Sequence, residues 1–363
     1  MSRHDAAARL RAGMPALAPL AALYGAGVAV SRSRGLKRRV PVGGDARVIA
    51  VGNLEVGGSG KTPLAIHLLE IAVAAGRRAA YVSRGYGSAA SRGPHVSLVL
   101  PAGDAFPDGA DGVRVIDSAA HPALEGDIGD EATLVALRVP AAIVAVGADK
   151  RRAVEVAARV GAEIVVVDDA FQSWSLARDL DVVMLDAERP LGSGRLLPAG
   201  SLRERPEALR RADVVVFNGA AGEGEVAAAR SRVSRWLGPR AVVLGMRRWI
   251  EIEQAGGGGI ASGATRALVV SGVARPERVR EDIAAQGVVI AGELVFADHH
   301  AYTAHDAACI QQAAGDAGAT AVVVTGKDWV KLRHFEWRTP VMVARLRVAL
   351  SGADDVLWLG RAG

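Results

Sequence analysis

The chain has 363 residues, half of them hydrophobic and 23% charged, which suits two domains, or one large one with an appendage, and excludes global disorder. Its single cysteine, Cys309, excludes an internal disulfide, no Cys/His cluster has zinc-ligand spacing, and a reducing compartment fits best. The net charge of +5 comes with only 4% aromatics and no basic stretch interleaved with them, so no nucleic-acid partner is expected, and no obligate protein partner is indicated.

Residues 1–40 are the first predicted element. Met14–Val30 reads MPALAPLAALYGAGVAV; Arg3, Arg9 and Arg11 precede it, and Ser31–Arg39 follows with five cations in nine residues. A secretion signal is opposed by the cations just after the apolar run. A spanning helix would be short, about 17 residues, and diluted by Pro15, Pro19, Gly25 and Gly27. A helix lying on an anionic membrane surface fits best, with an ordinary buried helix as the bland alternative.

Arg47–Gly52 then reads as a buried strand, and Val51–Pro63, VGNLEVGGSGKTP, as a strand running through a glycine turn into a helix that Gly76 stops. Backbone N–H groups of Gly57, Gly58, Ser59 and Gly60, the Lys61 ammonium and the Thr62 hydroxyl are the groups a nucleoside triphosphate with Mg²⁺ requires. A strict phosphate loop has glycine six residues before the lysine; here Glu55 stands there.

Further strands are predicted at 79–82, 141–146, 163–168, 181–185 and 213–217, alternating with helical segments, which implies a parallel, doubly wound sheet. Residues 101–112 and 186–206 read as loops, the second long enough to suggest substrate binding. The first domain is therefore placed at 41–240. Residues 241–252 and 340–350 look like extended linkers bracketing a smaller α/β domain at 253–339, in which 256–263 is a flexible connector. Residues 351–363 can rejoin the first domain.

Several clusters could carry chemistry. Gly129-Asp130-Glu131 offers one carboxylate as proton acceptor and one for Mg²⁺, although a helix N-cap with an acidic first turn explains the same residues. Asp168 and Asp169 end an apolar strand at the edge where open α/β sheets bind ligands, the form of a metal-facing Walker B strand; a solvated strand end is the alternative. Arg84 and Tyr86, in SRGYG, could clamp a phosphate or simply occupy a turn. In Asp298-His299-His300, a histidine beside a carboxylate is a candidate base or orienter, and an exposed pair of histidines is the simpler reading.

The ordered series VGNLEVGGSGKTP, SRGYG, GDE, VVVDDAFQ, LLPAGSLRE, ADHHAY and GKDWVKL resembles the tetraacyldisaccharide 4′-kinases, from the amphipathic N-terminus to about Leu332. The resemblance implies a P-loop NTPase-type α/β/α sandwich, with a second smaller α/β/α domain joined by a two-stranded linker. It implies an ATP- and Mg²⁺-dependent kinase that phosphorylates the 4′-hydroxyl of a lipid A disaccharide precursor, peripheral on the cytoplasmic face of the bacterial inner membrane. By position, Lys61 and Thr62 would bind phosphate and Mg²⁺. Asp130 and His299, brought together in a cleft between domains, would activate the sugar hydroxyl. Glu131, Asp168 and Asp169 would serve the metal and phosphates, and Arg84, Tyr86, Arg203 and Glu204 would face the lipid headgroup. The chain departs from the family pattern at Ala132, Ala170, Ser173, Ser201 and Gly326. A kinase of a soluble sugar or nucleoside, or a nucleotide-driven ATPase switch, is the alternative.

Overall fold

The computed structural model describes residues 14–39, 45–57, 60–106, 112–117, 124–255, 265–273, 275–298, 300–352 and 358. In chain order, α1 spans Ala18–Lys37, β1 Arg47–Asn53, α2 Lys61–Ala74, β2 Ala79–Ser83, β3 Val96–Val99, β4 Val113–Val115, α3 Leu124–Ile128 and α4 Asp130–Arg138. Next come β5 Ile143–Val146, α5 Lys150–Arg159, β6 Ile164–Val167, β7 Leu180–Asp186, β8 Val214–Asn218, α6 Glu223–Ser231 and β9 Val242–Gln254. The last elements are β10 Arg266–Ser271, α7 Pro276–Ala284, β11 Val289–Val295, α8 Ala304–Asp316, β12 Ala321–Thr325, α9 Gly326–Leu332 and β13 Val341–Ser351. The described residues fall into two compact units, one drawn from Met1–Ser118, Val135–Arg247 and Val348–Gly363, the other from Ala119–Leu134 and Arg248–Arg347.

In the first unit the strands lie in the order β9-β8-β7-β1-β6-β2-β5-β3-β4. Every neighbouring pair is parallel except β5 with β3. Parallel strands covered on both faces must be apolar throughout, which is why β6 is simply Ile-Val-Val-Val and every residue of β1 after Arg47 is buried. Two apolar clusters form around this sheet, one including Val48, Val82, Leu98, Val154 and Val165, the other Leu54, Phe171, Val183, Leu185 and Phe217. Each such side chain contributes about 1.5–3 kcal/mol by leaving water. The predicted strands between 79 and 217 are found within a few residues. The short strands β3 and β4 are not among them: Ser97 interrupts the apolar run of β3, and β4 is only three residues long and bounded by turn formers. Part of the predicted 101–112 loop, 107–111, lies outside the described residues.

The second unit orders its strands β11-β10-β12-β13-β9, with the β11–β10, β10–β12 and β12–β13 pairs parallel. The long strands β9 and β13 each contribute residues to both units. Within the second unit they are joined by ion pairs, Arg345 Nε to Glu253 Oε2 at 2.8 Å and Arg347 Nε to Glu251 Oε2 at 2.7 Å. The strand β11 was not anticipated, since its alternating exposure and central Gly292 blur an apolar run. The glycine-rich 256–263 connector lies outside the described residues. In the first unit, Trp358 is buried and its carbonyl accepts from Arg47 Nε at 3.0 Å.

The units divide the chain differently from the sequence boundaries in one respect that matters: residues 119–134, which carry the GDE motif, group with the second unit. The start of α4 is tied to α9, with Lys331 Nζ 2.7 Å from Asp130 Oδ2 and Lys327 Nζ 3.7 Å from Glu131 Oε1. Sequence continuity with β5 had hidden that attachment.

Helix α1 runs further than the apolar segment predicts, taking in Arg32, Arg34 and Lys37. Among its described residues only Ala21 is buried, whereas Leu20, Leu23, Val30 and Leu36 are exposed. An ordinary buried helix is therefore ruled out. No helix among the described residues is long and apolar enough to cross a membrane, which removes the spanning reading for them. Gly25, read as diluting the apolar run, is a point of close approach, where a Cβ would come 2.9 Å from Leu196 Cδ1; Gly35, past that run, is another, where a Cβ would come 2.8 Å from Trp174 Cβ. The segment entering α1 is pinned by Met14 N donating to Ala199 O at 2.7 Å.

Candidate active site

Strand β1 delivers the chain to a turn that only glycine tolerates. Gly57 has φ 116° and Gly60 has φ 87°. Gly60 is the N-cap of α2, and a Cβ there would come within 3.2 Å of Asn218 Nδ2 and Met246 Cε. Lys61 and Thr62 therefore open a helix of 14 residues, where unpaired N–H groups and the helix dipole favour an anion. Gly58 and Ser59 lie outside the described residues. Helix α2 buries Leu64, Ala65, Leu68, Leu69 and Ala72 and then stops at Gly76, φ 72°. Ile66 is buried as well and Val73 is half-buried, because the helix packs along β1, β2 and β6.

At the carboxyl end of β6 the two aspartates differ. Asp168 is buried, accepts from the Tyr81 hydroxyl at 2.9 Å, and accepts from the Asp169 N–H at 2.8 Å. Asp169 sits in the left-handed region, φ 47°, a conformation costly for a non-glycine residue and found at functional sites. Its carboxylate meets Arg203 Nη1 at 2.8 and 2.9 Å and lies 3.5 Å from Lys61 Nζ. Burial raises the pKa of this carboxyl, but the charges of Lys61, Arg203 and Lys150 outweigh it and bring the value down to about 2.

Lys150 was not read from the sequence as a site residue. It donates to the carbonyls of Asp168 at 2.7 Å and Asp169 at 2.6 Å, and so supports the backbone at the strained residue. Burial lowers its pKa, opposed by the charges of Asp169 and Asp168. A faint signal existed, a lysine four residues past an apolar strand and hence at the same sheet edge. Together Lys61, Lys150 and Arg203 place three cations around two carboxylates, an arrangement suited to a polyphosphate.

The loop 186–206 supplies Arg203 and Glu204. Glu204 is buried and accepts from Gln172 Nε2 at 3.0 Å and Arg211 Nη2 at 2.6 Å, so its carboxylate is occupied within the protein rather than turned toward a headgroup. Arg211 also stacks on Phe171, 3.7 Å from the ring centroid. The Ser173 departure sits in a turn, its N–H donating to Ala170 O at 2.8 Å and its carbonyl accepting from Arg178 Nη1 at 3.0 Å. Beyond β2, Gly85 and Gly87 have positive φ and turn the chain so that Arg84 and Tyr86 are exposed, Tyr86 by 83%.

In the second unit, Asp130 and Glu131 begin α4 with the lysine partners given above. His299 lies outside the described residues. Its neighbour His300 packs between Phe296 and Tyr302, with ring centroids 4.8 and 4.9 Å away, and its Nε2 lies 3.2 Å from Asp306 Oδ2 in the cap of α8. Just after β12, the buried carboxylate of Asp328 accepts from the Tyr302 hydroxyl at 2.9 Å, the Thr325 hydroxyl at 2.6 Å and Gly272 N at 3.1 Å. Burial raises the Tyr302 pKa strongly, and the adjacent Asp328 charge adds to it.

Among the described residues no group of three or more His, Cys, Asp or Glu side chains forms a ready metal cage. A nucleotide-bound Mg²⁺ does not need one, since it keeps waters and takes phosphate oxygens beside one or two protein groups. The hard oxygen donors here, the ionised Asp169 and the Thr62 hydroxyl at the head of α2, fit that requirement.

A family model described as tetraacyldisaccharide-1-P 4′-kinase matches residues 14–358. The tetraacyldisaccharide 4′-kinase of Halorhodospira halophila is 37% identical over 361 residues, covering 94% of each chain. That of Anaeromyxobacter sp. (strain Fw109-5) is 40% identical over 327 residues, covering 85% of this chain and 80% of its own. Among solved structures, Aquifex aeolicus LpxK, the "apo" form in complex with ATP, is similar in fold with a TM-score of 0.68 and 23% identity, covering 94% of this chain and 96% of its own.

Proposed function

This chain belongs to the tetraacyldisaccharide-1-P 4′-kinase family, and from that premise we propose how its residues divide the work. The protein is an ATP-dependent kinase of lipid A biosynthesis that transfers the γ-phosphoryl of ATP to the 4′-hydroxyl of a tetraacyldisaccharide 1-phosphate. The observation that carries this reading is the left-handed Gly60 opening α2 with Lys61 beside Asp169 and Arg203.

The glycine turn and the head of α2 hold the phosphates, with Lys61 offsetting the charge that develops on the transferred group. Arg203, locked on Asp169, keeps that carboxylate oriented. Thr62 and Asp169, with Asp168 behind them and Glu131 as a further candidate, are the groups that would hold Mg²⁺. Bound, the ion would supply charge neutralisation on the phosphate oxygens. Asp130, acting with His299 as a dyad, accepts the proton of the attacking hydroxyl, and Lys331 at 2.7 Å orients the Asp130 carboxylate. Arg84 and Tyr86 remain the groups offered to the lipid headgroup. Helix α1, with its exposed leucines and its Arg32, Arg34 and Lys37, supports a peripheral position on the cytoplasmic face of the inner membrane.

The test is acceptor dependence. With ATP and the tetraacyldisaccharide 1-phosphate in mixed micelles, phosphate is expected to pass to the lipid. ATP hydrolysis that ignores the lipid would favour a switch instead, and equal use of a soluble sugar would favour a soluble-substrate kinase.

A further inference from the structure

Glu55 occupies the position where a strict phosphate loop has glycine, and here it carries a buried carboxylate. Its side chain is turned into the 186–206 loop. The fully buried Ser201 donates its hydroxyl to Glu55 Oε1 at 2.8 Å. Backbone contacts flank this pair: Val56 N donates to Ser201 O at 2.9 Å, Arg203 N donates to Leu54 O at 2.7 Å, and Glu55 bridges Leu202 in antiparallel fashion. Gly192, on the other limb of the loop with φ 50°, leaves the space; a Cβ there would overlap Glu55 Oε1 and Ser201 Oγ.

Burying a carboxylate costs several kcal/mol, and an apolar pair of similar volume would hold a loop at least as well. Stability alone therefore does not account for an acid at this place. What the pair does achieve is directional: it fixes the chain two residues before Arg203, whose guanidinium must reach Asp169 next to Lys61. We propose that Glu55 and Ser201 are a positioning pair for phosphoryl transfer, a clasp that makes the phosphate loop and the 186–206 loop one body and delivers Arg203 to Asp169. This rests on the kinase reading above. It also gives the Glu55 and Ser201 departures a common explanation, since each is the other's partner.

Steady-state kinetics of Glu55→Ala, Ser201→Ala and Glu55→Gln, each alone and combined with Arg203→Ala, test the clasp. Glu55→Ala and Ser201→Ala should each lower kcat about tenfold, the scale of one hydrogen bond to a charged group. Glu55→Gln keeps the acceptor oxygen and should stay within about twofold of the parent. In the Arg203→Ala background the further loss from Glu55→Ala should vanish, because both act through one guanidinium. Should Glu55→Ala fold poorly, Ser201→Ala, which removes only a hydroxyl, decides. Parent-like kcat in Ser201→Ala, or losses that multiply with Arg203→Ala, would overturn the clasp while leaving the kinase reading intact. An unmodified protein that transfers no phosphate would overturn the kinase reading itself.

Discussion

Each unit ends a parallel strand near a buried carboxylate, and the two surround it with opposite chemistry. After β6, Asp168 and Asp169 meet Lys61, Lys150 and Arg203; just after β12, the donors to Asp328 are two hydroxyls and a backbone N–H, all neutral. The first arrangement has cationic charge to spare, and a polyphosphate would complete it. The second is complete as it stands, a neutral cradle that ties the Tyr302 segment to the head of α9. The same fold position therefore supports either chemistry or architecture, depending on whether the surrounding donors are charged.

The sharpest way to break this contrast is at Lys61. Lys61→Ala is expected to lower kcat by about 10³-fold with an unchanged thermal midpoint, because it removes charge stabilisation rather than a core contact. Near-normal turnover would sink the phosphate-loop assignment. Next in size, Asp130→Asn and His299→Ala should each cost about 10²-fold or more, and the double variant much less than their product, as for groups that act as a unit. Losses that simply multiply would refute the dyad.

On the other side of the contrast, Tyr302→Phe should leave kcat nearly unchanged and destabilise the fold by about 1.5–3 kcal/mol, the worth of a hydrogen bond to a buried charge. Denaturant midpoints against kcat check this, and a large kcat loss without destabilisation would contradict it. Asp169 offers a pH test. Its folded pKa of about 2 lies below its ordinary 3.8, so its stabilisation is present above that ordinary value and fades as pH falls toward 2. Asp169→Asn should therefore reduce the loss of stability between about pH 5 and about pH 3. An unaltered pH dependence would mean that the ion pairs with Arg203 and Lys61 do not persist in solution.

The smallest expected effect on chemistry concerns α1. Deleting residues 1–30, which removes the exposed Leu20, Leu23 and Val30 but leaves Arg32, Arg34 and Lys37, should shift the protein off anionic vesicles and raise KM for the lipid while KM for ATP changes little. Equal flotation of full and truncated chains would refute the membrane role.

The strands and the phosphate loop were readable because buried parallel strands and glycine turns leave local marks: apolar runs of fixed length, and Gly60 where φ must be positive. The long-range relations were not readable. The spacing of Gly147-Ala-Asp-Lys150 puts the lysine at the same sheet edge but does not say that its ammonium will meet the carbonyls of Asp168 and Asp169, and nothing near Glu204 says that Arg211 and Gln172 will take its carboxylate. The attachment of Asp130 and Glu131 to α9 joins residues some 200 positions apart. Gly25 was misread for the same reason, since a glycine kept for close packing looks like any helix breaker until its neighbour is known.

The contrast between the charged and the neutral carboxylate is tested most directly by calorimetric titration of a non-hydrolysable ATP analogue into the unmodified protein, Lys61→Ala and Tyr302→Phe side by side. Binding should weaken at least about tenfold in Lys61→Ala, the loss of one charge-assisted contact to phosphate, and remain unchanged in Tyr302→Phe. Equal weakening in both, or full affinity in Lys61→Ala, would contradict the assignment of the nucleotide to the cation-rich edge of the first unit.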